Sequence, residues 1–263
     1  MTRTRFKALL NRYIAHYKLW LLILVSLLLT ALLYQKTESP LLEQRASILK
    51  QTFMLNELQR AILDSLDTPQ NQTINHFDTL NYQSVALQSH LMTLIKNPAI
   101  HTNNVLDKSL QTLLILSQEQ SELVNQFKTN YLVLHNSWAY FPSTFDQCFT
   151  VLHAQSHQEL EPLLIKTFMS GVTLKQALND ASLQSFNDHL NQLKLATQDV
   201  QCKPFMQHSD LISRYTPVLQ KTHQTLFSLP IGSEIAQFYS LLEQAISALD
   251  QRNKHIYLLI SLF

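Results

Sequence analysis

The sequence predicts an all-α fold, an elongated helical bundle between two transmembrane helices, and three observations predict it. Residues 19–34 (LWLLILVSLLLTALLY) carry no charge, and residues 256–263 (IYLLISLF) begin a second such run. Only two glycines, Gly171 and Gly232, occur in 263 residues, whereas hairpins and phosphate-cradling loops use glycine for positive φ or close approach. Apolar residues recur at three- and four-residue spacing along most of the remainder, which is the period of one helix face.

The chain opens on a basic stretch, residues 1–18, with Arg3, Arg5, Lys7, Arg12 and Lys18 and no acid before Glu38. That bias holds an N-terminus in the cytoplasm. The first crossing, residues 19–35, reaches spanning length with Ile14, Ala15 and Tyr17, since about 20 residues cross the hydrocarbon. A cleaved signal peptide is the rival reading, but Tyr34-Gln35-Lys36-Thr37 offers no small residues for a cleavage site, so an uncleaved anchor is expected. Residues 36–255 then form an extracytoplasmic domain on the periplasmic side of a bacterial inner membrane, and residues 256–263 start a truncated second crossing. Removing the five leading cations from the 20 Lys and Arg leaves 15 against 19 acids, a net of −4 outside. No nucleic-acid partner fits that balance.

Ser39-Pro40 offers a cap and a proline at the first helical position. Leu42, Ala46, Leu49, Phe53, Leu55, Leu58, Ile62 and Leu66 then continue a helix to the Asp67-Thr68-Pro69 break. Phe77, Leu80, Leu87, Leu91, Leu94 and Ile95 mark a second helix, ending near Asn97-Pro98. A long third helix follows through Val105, Leu106, Leu110, Leu113, Leu116, Leu123, Phe127 and Tyr131 towards Pro142. The second half is punctuated by Pro162, Gly171, Pro204, Pro217 and Pro230, giving shorter segments over 145–153, 163–169, 181–200 and 211–229. In the last segment Ile235, Phe238, Leu242, Ala245, Leu249, Ile256 and Leu259 fall close to an a/d heptad. Such a stripe is either the chain's own core or a seam for a dimer or piston-like output rod.

From Val124 to Pro142 the sequence reads VNQFKTNYLVLHNSWAYFP. Its Phe127-Lys128 pair and its Asn136-Ser137-x-x-Tyr140-x-Pro142 ending resemble the signature of the DAHL family, the double-transmembrane, alpha-helical, ligand-binding domain of bacterial signal transducers. Downstream, His208-Ser209-Asp210-Leu211-Ile212, Pro217, Leu226 and Leu229-Pro230 are similar to that family's late helical pair. The resemblance runs nearly from anchor to anchor, although only the Asn-Ser-x-x-Tyr-x-Pro part is distinctive. It implies an extracytoplasmic sensor module of a two-component or related system, homodimeric, and normally followed by a histidine kinase or diguanylate cyclase. No such output module is present in this sequence.

On a helix Lys128, Tyr131 and His135 are three and four apart, as are Asn136 and Tyr140. Asn136, Ser137 and Tyr140 supply donors and acceptors for a small polar ligand. The competing reading is that Asn136 and Ser137 satisfy one another and a neighbouring backbone while Tyr140 and Pro142 end the helix. The resemblance adds His208, and Arg214 beyond it is a carboxylate-binding candidate or a solvated side chain. His153, His157 and Glu161 at i, i+4 and i+8 suit zinc geometrically, but Ala154-Gln155-Ser156 lacks the general base of a zincin, so no metal is expected. No nucleophile elbow, triad or phosphate loop occurs. This chain is therefore not expected to be an enzyme or to hold a cofactor. Cys148 and Cys202, the only cysteines, are both on the external side, where a disulfide is permitted; spacing alone does not show that they approach. Two functions compete: a sensory input for a small molecule or periplasmic protein ligand, and a membrane-anchored helical scaffold for periplasmic protein assembly.

Overall fold

The computed structural model describes residues 17–18, 20–28, 32, 40–67, 75–154, 157–196 and 202–261. Every element among them is helical: α1 (Pro40–Glu43), α2 (Arg45–Asp67), α3 (Asn75–Ile95), α4 (Pro98–His101), α5 (Asn104–Ala154), a 3-10 turn (Gln158–Leu160), α6 (Glu161–Gln176), α7 (Asp180–Ala196), α8 (Lys203–Ser228) and α9 (Ile231–Ser261). Of the expected first crossing, residues 20–28 and 32 are described and helical, and the others lie outside the described residues. Among the described residues no helix is long and apolar enough to cross a membrane. Ser39, most of the basic N-terminal stretch and the last two residues also lie outside them.

Local chemistry starts and stops these helices. The Asn97 side chain accepts from the Ala99 amide at 2.9 Å and caps α4. The Asn103 side chain does the same for α5, accepting from Val105 and Leu106 at 3.1 and 3.3 Å. Asn179 caps α7 through the Ser182 amide at 2.9 Å. Each of these short side chains satisfies a donor that the first turn leaves unpaired. Pro162 and Pro204 sit in the first turns of α6 and α8, where no amide hydrogen is needed. Leu229, held extended by Pro230, separates α8 from α9.

The buried faces follow a seven-residue repeat rather than the stripe expected for α2. Its buried positions are Ile48, Thr52, Leu55, Gln59, Ile62 and Leu66, while Phe53 is 62% exposed. Two polar residues therefore occupy core positions in place of the larger apolar neighbours. Thr52 spends its hydroxyl on the Ile48 carbonyl at 2.9 Å, which removes most of the cost of burying it.

Two of the breaks expected at prolines do not occur. Pro142 lies inside α5, which runs 51 residues, and Pro217 lies inside α8. A proline deletes one ladder bond and costs about 3 kcal/mol in a helix interior. At Pro142 the hydroxyls of Ser143 and Thr144 donate to the Tyr140 carbonyl at 3.0 and 2.9 Å. At Pro217, Thr216 donates to the Ile212 carbonyl at 2.7 Å. Packing of the neighbouring Phe141 and Ile212, both essentially inaccessible, holds each helix through its proline. Gly171 likewise falls within α6 and ends nothing.

The chain divides into two compact units. Unit 1 comprises Met1–Gln59, Ala86–Ile115 and Ile231–Phe263. Within it α1 packs against both α4 and α9, and Arg45 pairs with Asp250 at 3.8 Å. Ile235, Phe238, Leu242 and Ile246 of α9 are buried there. Of the heptad expected as either core or dimer seam, Ile235, Phe238 and Leu242 are thus part of the chain's own core, whereas Ala245, Leu249 and Ile256 are half-buried.

Unit 2 comprises Arg60–Val85 and Leu116–Pro230. Its core gathers Phe141, Phe186 and Phe205, each at most 1% exposed, with Trp138, Phe145, Phe149 and Phe168 packed around them. Phe141 touches four rings at centroid separations of 5.1 to 6.2 Å. Ring pairs of this kind add about 0.5–1.5 kcal/mol each beyond the area they bury. Thr167 of α6 bonds the His189 carbonyl of α7 at 3.3 Å, and Lys194 of α7 pairs with Asp210 of α8.

Candidate functional site on the ring-bearing face of the long helix

Within unit 2, α5 and α8 lie antiparallel, and three contacts mark their alignment. Phe127 meets His223 at 6.1 Å, Tyr140 stacks on His208 at 5.5 Å, and Cys148 is bonded to Cys202. Moving 13 residues from Phe127 to Tyr140 moves 15 back from His223 to His208, and 8 more to Cys148 moves 6 back to Cys202. The motif from Asn136 to Pro142 is therefore set opposite the segment that begins at His208.

The heptad decides which motif residues are available. Ser137 occupies a core position at 1% exposure, and its hydroxyl donates to the Val133 carbonyl at 2.9 Å. It is committed to its own helix. Asn136, about 100° around the helix, is exposed. Tyr140, one turn further on the same side, is 58% exposed, and its ring covers His208 with the planes 25° apart. The His208 Nδ1 is buried without a hydrogen-bond partner. Asn136, Tyr140 and His208 thus make a small shelf with an amide, a phenol and an imidazole.

Lys128 and Arg214 are not part of that shelf. Lys128 is half-buried and 12 residues before Tyr140, about 18 Å along the axis at 1.5 Å per residue. Arg214 is exposed six residues beyond His208, which rotates it roughly 120° away around α8.

A second ring cluster lies one to three turns N-terminal on α5. Tyr131 contacts Phe77 edge-on at 5.2 Å, stacks near Phe127 at 6.3 Å and stacks on His135 at 5.7 Å. His223 sits between Phe127 and Phe227, at 6.1 and 4.6 Å. Burial pushes the Tyr131 phenol above its ordinary value by disfavouring the phenolate. The four-residue spacing of Phe127, Tyr131 and His135 was visible in the sequence, but the ring partners from α3 and α8 were not.

The zinc-like trio is divided by the end of α5 at Ala154. His153 pairs with Glu161 at 3.0 Å and His157 with Glu159 at 3.3 Å, so the three do not share one helical face. The backbone and His157 hold the Glu159 carboxyl below its usual range. Among the described residues no group of three or more His, Cys, Asp or Glu is placed to hold a metal ion. The disulfide Cys148–Cys202 has a Cα separation of 4.8 Å, and both residues are 1% exposed. It ties the far end of the shelf covalently.

No curated protein and no solved structure matches the chain. The family model described as the DAHL domain matches residues 56–257, which is more than three-quarters of the sequence and includes every residue of the shelf. With its helix-only architecture and the Asn-Ser-x-x-Tyr-x-Pro motif facing α8, the chain belongs to the DAHL domain family.

Proposed function

We propose that the chain is the extracytoplasmic sensory input of a bacterial membrane-bound signal transducer, anchored by residues 19–35 and by the run starting at Ile256. The observation that carries this reading lies in unit 1, where α1 packs against α9 and Arg45 pairs with Asp250. The helix that follows the first uncharged run in sequence thus lies beside the helix that leads into the second. A buried disulfide supports an oxidising compartment for the domain. Family membership supports a sensor-type module.

The ligand is a small molecule or a periplasmic protein segment that stacks on Tyr140 and bonds Asn136. Only its difference in affinity between two helix arrangements drives signalling. A cytoplasmic kinase or cyclase reads that difference through α9.

Two measurements test the reading. Alkaline phosphatase inserted at the Leu229-Pro230 turn is active if the domain is outside; an inactive fusion in a stable protein refutes the topology. In a thermal-shift screen of periplasmic metabolites, a true ligand raises the Tm of the native chain and has no effect on Tyr140→Ala, whose own Tm is nearly unchanged because the side chain is mostly exposed. A screen in which no compound discriminates between the two supports the scaffold function instead.

A further inference from the structure

Along α5 a buried residue recurs every three or four positions from Leu106 to Val124 and again from Leu134 to Leu152, and none lies between those two series. The register positions in the gap are Phe127 and Tyr131, and both are only half-buried. A stripe closed on all sides hides rings of this size, as it hides Phe141 about three turns beyond Tyr131 on the same helix. The stripe is therefore open to solvent at this level. Rings line the opening, where Tyr131 meets Phe77 of α3 at 5.2 Å and Phe127 meets His223 of α8 at 6.1 Å. All four residues belong to unit 2.

The lysine at this opening is unlike the others. Lys128 is half-buried, whereas every other lysine among the described residues is exposed. Among those residues it has no hydrogen bond or ion pair. At about 100° per residue, Phe127, Tyr131, His135 and Lys128 fall within about 100° of arc, so the ammonium borders the file of rings. Drawing a charge part-way out of water without a partner is costly, and the flanking helices offer no acid to offset it. Residues 123–145 of α5 and 211–229 of α8 contain Lys128, Arg214 and Lys221 and no Asp or Glu. Asp78 of α3 is exposed and set about 100° round its helix from Phe77.

We propose that this opening binds an aromatic carboxylate, with the carboxylate on Lys128 and the planar body against Phe127 and Tyr131. Phe127, Tyr131 and His135 follow one another in file with planes 27° and 15° apart, and so present flat faces to a flat ligand. Small-molecule sites combine a mainly apolar and aromatic lining with a few placed polar groups, and the Lys128 ammonium is the placed group here. A cationic ligand would suit the ring faces, but it would meet the charge of Lys128 with no acid between them. The sign of the ligand is decided by that lysine.

This site is separate from the shelf on Tyr140. Nine residues divide Tyr131 from Tyr140, which is about 14 Å along α5 and half a turn round it. The site depends neither on the anchoring nor on a ligand at the shelf.

Isothermal titration calorimetry of the full chain in nanodiscs tests the proposal, with phenylacetate as the probe and the neutral phenylacetamide as its comparison. The acid is expected to bind at least about tenfold tighter than the amide, the usual worth of a hydrogen bond to a charged group. Lys128→Met should reduce the acid to the affinity of the amide, with no fall in thermal midpoint because the change removes an unpaired charge. Phe127→Leu keeps the apolar bulk without the flat face and should weaken the acid about threefold or more. Tyr140→Ala should leave both affinities unchanged. No binding of the acid, equal binding of acid and amide, or undiminished affinity in Lys128→Met overturns the proposal, as does tighter binding of benzylammonium than of the acid. Loss of acid binding in Tyr140→Ala alone overturns it too, by placing the ligand on the shelf. An inactive phosphatase fusion with binding that depends on Lys128 refutes the anchored sensor and leaves this site standing; an active fusion with no binding does the reverse.

Discussion

Gly171 is set by a ring. A Cβ added there would come 2.7 Å from Phe141 Cζ and 3.1 Å from Phe186 Cε2, and both phenylalanines are fully buried. Gly171→Ala gains about 1 kcal/mol of helix propensity, but overpacking a core that cannot give costs more. A net loss of about 1–2 kcal/mol is expected, read as a lower denaturation midpoint. Tyr131 differs because its response is to pH. Its raised phenol means the folded state favours the neutral form, so this contribution is complete below the ordinary tyrosine value of 10.0 and is lost as pH rises through the higher folded value. Tyr239 is also raised, by its hydrogen bond to Glu243, so titration of phenolate absorbance should show two late-ionising tyrosines, of which Tyr131→Phe removes one. If every tyrosine ionises together, the burial argument fails.

At the scale of a helix, Pro142 is the informative residue. It is exposed, and α5 passes through it with hydroxyls of Ser143 and Thr144 turned onto the Tyr140 carbonyl. Pro142→Ala restores a ladder bond and should stabilise the domain by about 1–3 kcal/mol, measured by chemical denaturation; a loss instead would mean that the proline ring is required for packing. Gln120 has the same kind of legibility problem in reverse. It is 0% exposed with both amide atoms unpaired, so Gln120→Leu should raise stability by about 1–3 kcal/mol. The helix period and scarce glycine made the all-α class readable from composition and spacing. The phase of each seam was not readable, because α2 offers Phe53 and Leu49 as well as Ile48 and Leu55, and only the facing helices choose between them. Prolines misled for a related reason: a local penalty of a few kcal/mol was set against ring packing contributed by α6, α7 and α8. Within the site, the Tyr140 position was visible as a motif, but its stacking on His208 depends on the alignment of two helices some 68 residues apart in sequence.

For the molecule as a whole, the Cys148–Cys202 bond closes the one covalent loop, spanning 54 residues and enclosing α6 and α7. Replacing both cysteines by serine should cost about 2–5 kcal/mol, seen as an earlier unfolding midpoint than that of the oxidised protein, and reductant should have little effect on the native fold because both sulfurs are buried. An unchanged midpoint would show that ring packing alone holds this region. Having two cysteines also shapes how the chain matures. There is a single intramolecular pairing, so oxidation has no isomers to sort and needs no reshuffling. What it does have is a waiting interval: at about 5–20 residues per second, Cys148 leaves the ribosome roughly 3–10 s before its mate, and for that time another thiol is the only partner it can find.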